Sequence, residues 1–104
     1  KIDVNRFSSS SPALILAARR GHIEVVRLLL EHPEIDVNSR EFNRDTPLVG
    51  AASRGHIEVV RLLLQHPEID VNIKGRWNWT PLQSARRNSY QEILDLLLSH
   101  GAIE

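Results

Sequence analysis

Apolar residues recur at helical spacing in the stretch 54–72, where Ile57, Val60 and Leu63 lie three residues apart. Side chains at this spacing share one face of an α-helix. Further apolar residues beside them widen that face, as is typical of a helix that packs between two neighbours. The pattern therefore predicts a largely buried helix over residues 56–65.

The same pattern occurs more than once along the chain. Residues 20–38 and 54–72 are identical at 18 of 19 positions with an offset of 34 residues, and a diverged third copy follows at the same offset. A unit of this length cannot bury its apolar faces alone, whereas stacked units form one continuous core. We therefore expect a single domain over 1–104. It consists of a partial repeat at 1–10 and three repeats at 11–44, 45–78 and 79–104.

Each copy also carries signals for the beginning and the end of its first helix. Thr46-Pro47 and Thr80-Pro81 place a capping hydroxyl before a proline, which suits the first helical position because that position needs no N–H. Gly21 and Gly55 are of the residue type that ends helices in a left-handed conformation. Together these signals predict six helices, over residues 11–20, 22–31, 46–54, 56–65, 80–88 and 90–99.

The third copy and the loops depart from this regular pattern. Ser89 stands in place of the helix-ending glycine, and with Glu92 it predicts a capping box at the start of the last helix. The polar segments 38–46 and 72–80 predict protruding fingers. At the tip of the first of these fingers we expect Arg44 to fit a left-handed turn poorly.

Several motifs together resemble the ankyrin-repeat family. They are Thr-Pro-Leu at 46–48 and 80–82, Gly-His-Ile-Glu-Val-Val at 21–26 and 55–60, the leucine triplets and the repeated Asp-Val-Asn. The resemblance implies an all-α fold, an ankyrin-repeat solenoid of stacked antiparallel helix pairs joined by β-hairpin-like fingers. It also implies a right-handed stack whose concave face, formed by fingertips and first helices, binds a partner. An intracellular location is a further implication of the resemblance.

Composition narrows the classes of function. The chain has 13 Lys and Arg and 13 Asp and Glu, so its formal net charge of zero gives no overall attraction to nucleic acid or membrane. Cysteine is absent, which excludes disulfides and thiolate metal sites. No apolar run reaches the ~18 residues of a membrane span. Methionine is absent too, and we expect the chain to be a piece of a longer protein.

Catalytic motifs are absent from the sequence. It contains no nucleophile elbow, phosphate-binding loop or dinucleotide fingerprint. His32, His66 and His100 share one repeat position, which suggests a ladder of metal ligands. Equivalent residues of stacked helices, however, lie about 8–10 Å apart, whereas zinc draws its ligands to about 2 Å. We therefore expect no metal, no cofactor and no enzymatic activity.

Two asparagines also recur with the repeat. Asn38 and Asn72 each follow Asp-Val and come eight residues after a leucine. This context resembles the asparagine that is hydroxylated by an asparaginyl hydroxylase in some ankyrin repeats. The simpler explanation, and the one we expect, is a structural asparagine whose side chain bonds the finger backbone.

The copies diverge at their fingertips, where residues 41–45 and residues 75–79 have little in common. Positions that must stack have little freedom to differ, whereas a surface that meets a partner can differ from repeat to repeat. Trp and Arg are also enriched at interface hot spots. We therefore predict a partner-binding strip along the concave face. Its residues are Phe42, Asn43, Asp45, Arg54, Arg76, Trp77, Trp79 and Arg87.

Two alternatives stay open for these side chains. The tryptophans act either as interface anchors or as a cap folded over the neighbouring helix. The arginines at the ends of the first helices either complement the helix dipoles or form a patch for an acidic or phosphorylated partner. These arginines are Arg19, Arg20, Arg54, Arg86 and Arg87.

The pattern favours a protein–protein interaction module, a monomer that binds another protein. The alternative is a binder of nucleic acid or another anionic polymer, in which the tryptophans stack on bases. The zero net charge counts against this alternative. Salt dependence distinguishes the two functions, since nucleic-acid binding weakens steeply as salt rises.

Overall fold

The structure, a computed structural model, describes residues 11–41 and 43–103. The partial repeat predicted at 1–10 lies outside the described residues. Within them the chain forms six α-helices, each of which begins and ends within one residue of its predicted bounds. The helices are α1 Pro12–Arg20, α2 Ile23–Leu30, α3 Pro47–Arg54, α4 Ile57–Leu64, α5 Pro81–Arg87 and α6 Gln91–Ser99.

Threonine side chains begin the first helices of the second and third repeats. The Thr46 hydroxyl accepts a hydrogen bond from the backbone N–H of Val49, 3.0 Å away. The Thr80 hydroxyl accepts one from the N–H of Gln83 at 3.2 Å, and the Gln83 side chain accepts one from the N–H of Thr80 at 2.9 Å. This reciprocal pair is a capping box, which satisfies two N–H groups that the helix leaves free.

The capping box predicted at Ser89 is wrong. Ser89 has φ of 61°, so it occupies the left-handed position that Gly55 holds in the preceding repeat with φ of 79°. A capping serine needs an extended backbone, and the left-handed conformation excludes it. Tyr90 instead precedes α6, without a capping hydrogen bond from its side chain.

The helices form two layers. The first helices α1, α3 and α5 contact one another in order, as do the second helices α2, α4 and α6. The core lies between the layers and includes the fully buried Leu14, Leu48, Leu82, Leu63 and Leu97. Small alanines, also buried, let the first helices approach closely.

Position in the stack, rather than local sequence, decides which side chains are buried. Val59 in α4 is 0% exposed, whereas Val25, at the same place in the nearly identical segment of α2, is 47% exposed. The helix α4 packs against both α2 and α6, while α2 has only α4 beside it among the second helices. The same residue is therefore core in one copy and surface in the other.

The loops after the second helices are joined by asparagine side chains. Asn38 donates to the carbonyl oxygen of Glu68 at 2.7 Å and accepts from the N–H of Asp70 at 2.8 Å. Asn72 makes the equivalent pair one repeat later, with Gly101 at 3.4 Å and Ile103 at 2.9 Å. The asparagines are structural, but they bond the loop of the next repeat rather than the finger backbone that we expected.

Each finger between repeats is closed at its base by one backbone hydrogen bond. The N–H of Glu41 donates to the oxygen of Asp45 at 3.1 Å, and the N–H of Gly75 donates to the oxygen of Trp79 at 2.7 Å. No residue of the ranges 11–41 and 43–103 belongs to a strand, so the β-hairpin detail of the prediction is not confirmed. Arg44 is left-handed, with φ of 68°, despite the poor fit that we expected.

Candidate interaction surface

The predicted strip has exposed and buried members. The structure places Asn43, Arg54 and Arg87 at the surface, leaves Arg76 and Trp79 partly exposed, and buries Asp45. Trp77 is the most exposed large aromatic side chain that the structure describes, at 69%. Phe42 lies outside the described residues.

The two tryptophans and two arginines form one cluster, here called the Trp–Arg cluster. The rings of Trp77 and Trp79 are 5.4 Å apart between centroids and inclined by 45°. The guanidinium carbon of Arg76 lies 4.5 Å from the centre of the Trp77 ring, and that of Arg87 lies 4.8 Å from the centre of the Trp79 ring. Both distances are within cation–π range, so each ring already holds one cation.

A close backbone contact positions this cluster above α3. Gly75 begins the turn at Arg76–Asn78 and is buried against Val49. A Cβ added to Gly75 would lie 2.8 Å from Cγ1 of Val49, which is closer than side chains can approach. A glycine at this place lets the finger sit directly on the helix.

Asp45 takes a structural role that the sequence did not reveal. Its side chain is 2% exposed and accepts from the guanidinium of Arg19 at 2.7 Å. Its backbone N–H donates a hydrogen bond to Oδ1 of Asn43, 2.9 Å away. Gly50 makes room for the ion pair, since a Cβ there would lie 3.3 Å from the Asp45 carboxylate. Within the strip, Asp45 therefore acts by orienting Arg19, which was not among the predicted site residues.

A small pocket of about 130 Å³, here called the finger pocket, lies between α3 and the finger of residues 72–80. Arg19, Arg54 and Arg76 line it together with the two tryptophans and the Asp45 carboxylate. Its wall thus carries three cations and one anion, and that anion is already paired with Arg19. Among the remaining lining residues is Ser84, whose buried hydroxyl has no hydrogen-bond partner in the described part of the chain.

The sequence pattern that defines ankyrin repeats matches residues 14–104 in three copies. The chain belongs to the ankyrin-repeat family. Ankyrin repeats are generally protein–protein interaction modules, and the family is typically non-catalytic. A comparison with curated proteins gives no match.

The recurring histidines of this ankyrin array are used in local hydrogen bonds. The Nδ1 atoms of His32 and His66 accept from backbone N–H groups two residues later, each at 3.1 Å. Nδ1 of His100 lies 3.0 Å from the carbonyl oxygen of Leu96. The described residues contain no group of three or more side chains placed to hold a metal ion.

The helices of the array are short. Within the described ranges, none has the length and apolar character needed to cross a bilayer. The longest, α1 and α6, have 9 residues each, whereas a span needs about 20.

Proposed function

We propose that this ankyrin array is a non-catalytic protein–protein interaction module that docks its partner on the predicted strip. The observation that carries the proposal is the Trp–Arg cluster, in which the Trp77 ring is exposed while it is held between Arg76 and Trp79. Rigid aromatic side chains that are ordered before binding are favoured interface anchors.

The exposure of Trp77 also supports an anchor over a cap. A ring that capped the stack would be buried against the neighbouring helices, whereas Trp77 is 69% exposed. Trp79, which is half-buried, contacts both Trp77 and Arg87. The pair therefore presents a continuous aromatic and cationic surface.

The charges of the strip favour an acidic partner. Arg54 and Arg87 are exposed and Arg76 is partly exposed. The carboxylate nearest to them in the pocket, that of Asp45, is buried and paired with Arg19. The accessible charge on this face is thus positive, and complementary charge speeds and orients protein association.

The test selects dodecapeptides from a random displayed library on the immobilised array and measures their affinity for variants. We expect Trp77→Ala to weaken binding about thirtyfold, which corresponds to a hot-spot loss of about 2 kcal/mol. Leu28→Ala is the matched control, because Leu28 is 65% exposed but belongs to α2 in the layer of second helices. Peptides that bind Trp77→Ala as tightly as the unchanged array would contradict the proposal.

The alternative is binding of nucleic acid or another anionic polymer by the same cluster. Base stacking needs free ring faces, and Arg76 and Arg87 each cover one face of a tryptophan. A single-stranded oligonucleotide is therefore included in the affinity measurements. Tight binding of the oligonucleotide that falls steeply between about 50 and 200 mM salt would favour the alternative.

A further inference from the structure

We propose that the finger pocket binds one carboxylate side chain, a glutamate or aspartate of the docked partner. The inference rests on the proposed function, because the partner delivers this side chain when it covers the strip. It adds to that function a single chemical requirement: a negative charge at one position of the partner.

The size of the pocket fits one side chain. Its volume is about 130 Å³, whereas sites for small-molecule ligands have about 300–1,000 Å³. Trp77 and Trp79 both line the pocket. A partner segment that lies on the tryptophans therefore passes its side chains over the mouth of the pocket.

The charges of the pocket select an anion. Arg19 is engaged with Asp45 at 2.7 Å and lies 3.7 Å from Glu41, so its charge is already compensated. Arg54 and Arg76 line the same pocket. No carboxylate of the described residues lies within ion-pairing distance of either. Guanidinium groups bind carboxylates through paired, charge-assisted hydrogen bonds, so these two arginines have donors to offer an incoming carboxylate.

One residue of the pocket lining also has a buried hydroxyl without a partner. Ser84 is buried in α5 and lines the finger pocket, and its Oγ makes no hydrogen bond to the described residues. Buried polar groups without a partner are uncommon in folded proteins. A carboxylate only accepts hydrogen bonds, so it has the chemistry that this buried donor lacks, and it reaches the hydroxyl once the lining side chains move to admit it.

Two other occupants fit less well. A lysine would meet three arginines, and one face of each tryptophan already holds a cation, Arg76 or Arg87. A phosphate group carries a second negative charge, which would lie beside the Asp45 carboxylate in the same wall. A singly charged carboxylate satisfies the arginines without that repulsion.

The experiment uses the peptides selected on the array and changes the acidic residue of each to its amide, Glu→Gln or Asp→Asn. We expect the amide peptide to bind the unchanged array at least about tenfold more weakly, as the loss of a charge-assisted bond implies. On Arg54→Gln the difference between the two peptides should shrink to less than about threefold, because one of the two guanidinium groups that distinguish them is gone. Arg27→Gln, an exposed arginine of α2, is the control and should keep the full difference.

Ser84→Ala tests whether the hydroxyl contributes to peptide binding rather than to folding. Its hydroxyl has no partner in the described part of the chain, so its removal should leave thermal unfolding unchanged or raise the midpoint. The affinity for the acidic peptide should nevertheless fall about threefold or more. Arg76→Gln is a second charge variant, to be used if Arg54→Gln alters the unfolding curve.

The outcomes separate this inference from the proposed function. Peptides that need Trp77 but have no acidic residue, or that tolerate the amide, would overturn the carboxylate site and leave the docking strip standing. Peptides that ignore Trp77→Ala would overturn both. A phosphoserine peptide that binds more tightly than its glutamate counterpart would show that the pocket takes a doubly charged group, contrary to the inference.

Discussion

Nε2 of His56 lies 3.0 Å from the carbonyl oxygen of Arg19 and joins the second repeat to the end of the first helix. A carbonyl oxygen only accepts, so Nε2 is the donor. The same ring covers Gly21, where an added Cβ would lie 2.6 Å from Nδ1. One repeat later Tyr90 covers Gly55 in the same way, with its Cζ 2.8 Å from such a Cβ. An aromatic ring on a glycine thus recurs at both repeat junctions.

The contact at Gly21 predicts a large effect of adding one methyl group. Gly21 and Gly101 are both left-handed, with φ of 73° and 93°, but only at Gly21 would a Cβ meet a neighbour. We expect Gly101→Ala to cost about 1 kcal/mol for the backbone alone. Gly21→Ala should cost about 1–3 kcal/mol more, because the His56 ring must move. Urea unfolding of both variants measures the difference, and equal losses would contradict the ring contact.

Truncating the equivalent valines Val59 and Val25 tests how the burial of a side chain depends on the position of its repeat in the stack. Val59→Ala removes a fully buried side chain and should cost about 2 kcal/mol from lost burial and the cavity left behind. Val25→Ala, at the same position of the first copy but 47% exposed, should cost less than about 1 kcal/mol. The free energies of unfolding of the two variants are compared. A larger loss at Val25 would mean that another part of the chain covers it.

We expect the Asp45 side chain to contribute to the stability of the fold rather than to contact a partner directly. Asp45→Asn keeps the shape but removes the charge that pairs with Arg19, so we expect a loss of about 1–3 kcal/mol. Glu41→Gln is the control, since Glu41 lies 3.7 Å from the same guanidinium and is more exposed. That change should stay within about 0.5 kcal/mol, as for other surface pairs. Equal effects in thermal unfolding would show that the 2.7 Å pair is not the one that stabilises the fold.

The asparagine bridge between repeats depends on both atoms of its amide. Asn38→Asp keeps an acceptor for the N–H of Asp70 but replaces the donor that bonds Glu68. We expect a loss of about 1–3 kcal/mol in the free energy of unfolding. Asn78→Asp is the control at the exposed fingertip, where the side chain bonds no described residue. If both substitutions have the same effect, the bridge contributes little.

The tryptophans should contribute to binding more than to folding. Because the Trp77 ring is mostly exposed and its main contacts are Arg76 and Trp79, Trp77→Ala should change the unfolding free energy by less than about 1 kcal/mol. Trp79→Ala should likewise leave the fold largely intact, and each variant should lose about 2 kcal/mol of affinity for the selected peptides. The reverse result, easy unfolding with normal binding, would show that the rings cap the stack.

The helices were predictable because their signals are local and repeated. Proline at the first helical position, threonine before it and glycine after the last turn set the bounds to within one residue. Ser89 was misassigned because its local capping motif was given more weight than the repeat register, which places Ser89 at the helix-ending position of Gly55 and Tyr90 at the position of His56. The Thr80–Gln83 capping box has the same signature and was available from the sequence.

The geometry of the candidate surface was not predictable, because it arises from contacts between repeats. Arg19 and Asp45 are 26 residues apart and meet only when the first finger folds back on the neighbouring helix. The exposure of Trp77 depends on a turn in which a bulky residue has φ of 56°, a conformation rare for such side chains. Sequence divergence at the fingertips indicated the surface but not which of its members face solvent.

The left-handed pair Trp77 and Asn78, with φ of 56° and 63°, bears on how fast a partner is captured. For the bulky Trp77 this conformation costs about 1–2 kcal/mol, whereas asparagine adopts it more readily, and the Gly75–Trp79 bond and the two guanidinium contacts hold the turn. These contacts favour one orientation of the indole in the free protein. Under the proposed function, we therefore expect long-range attraction between charges, rather than loop rearrangement, to set the association rate of a partner.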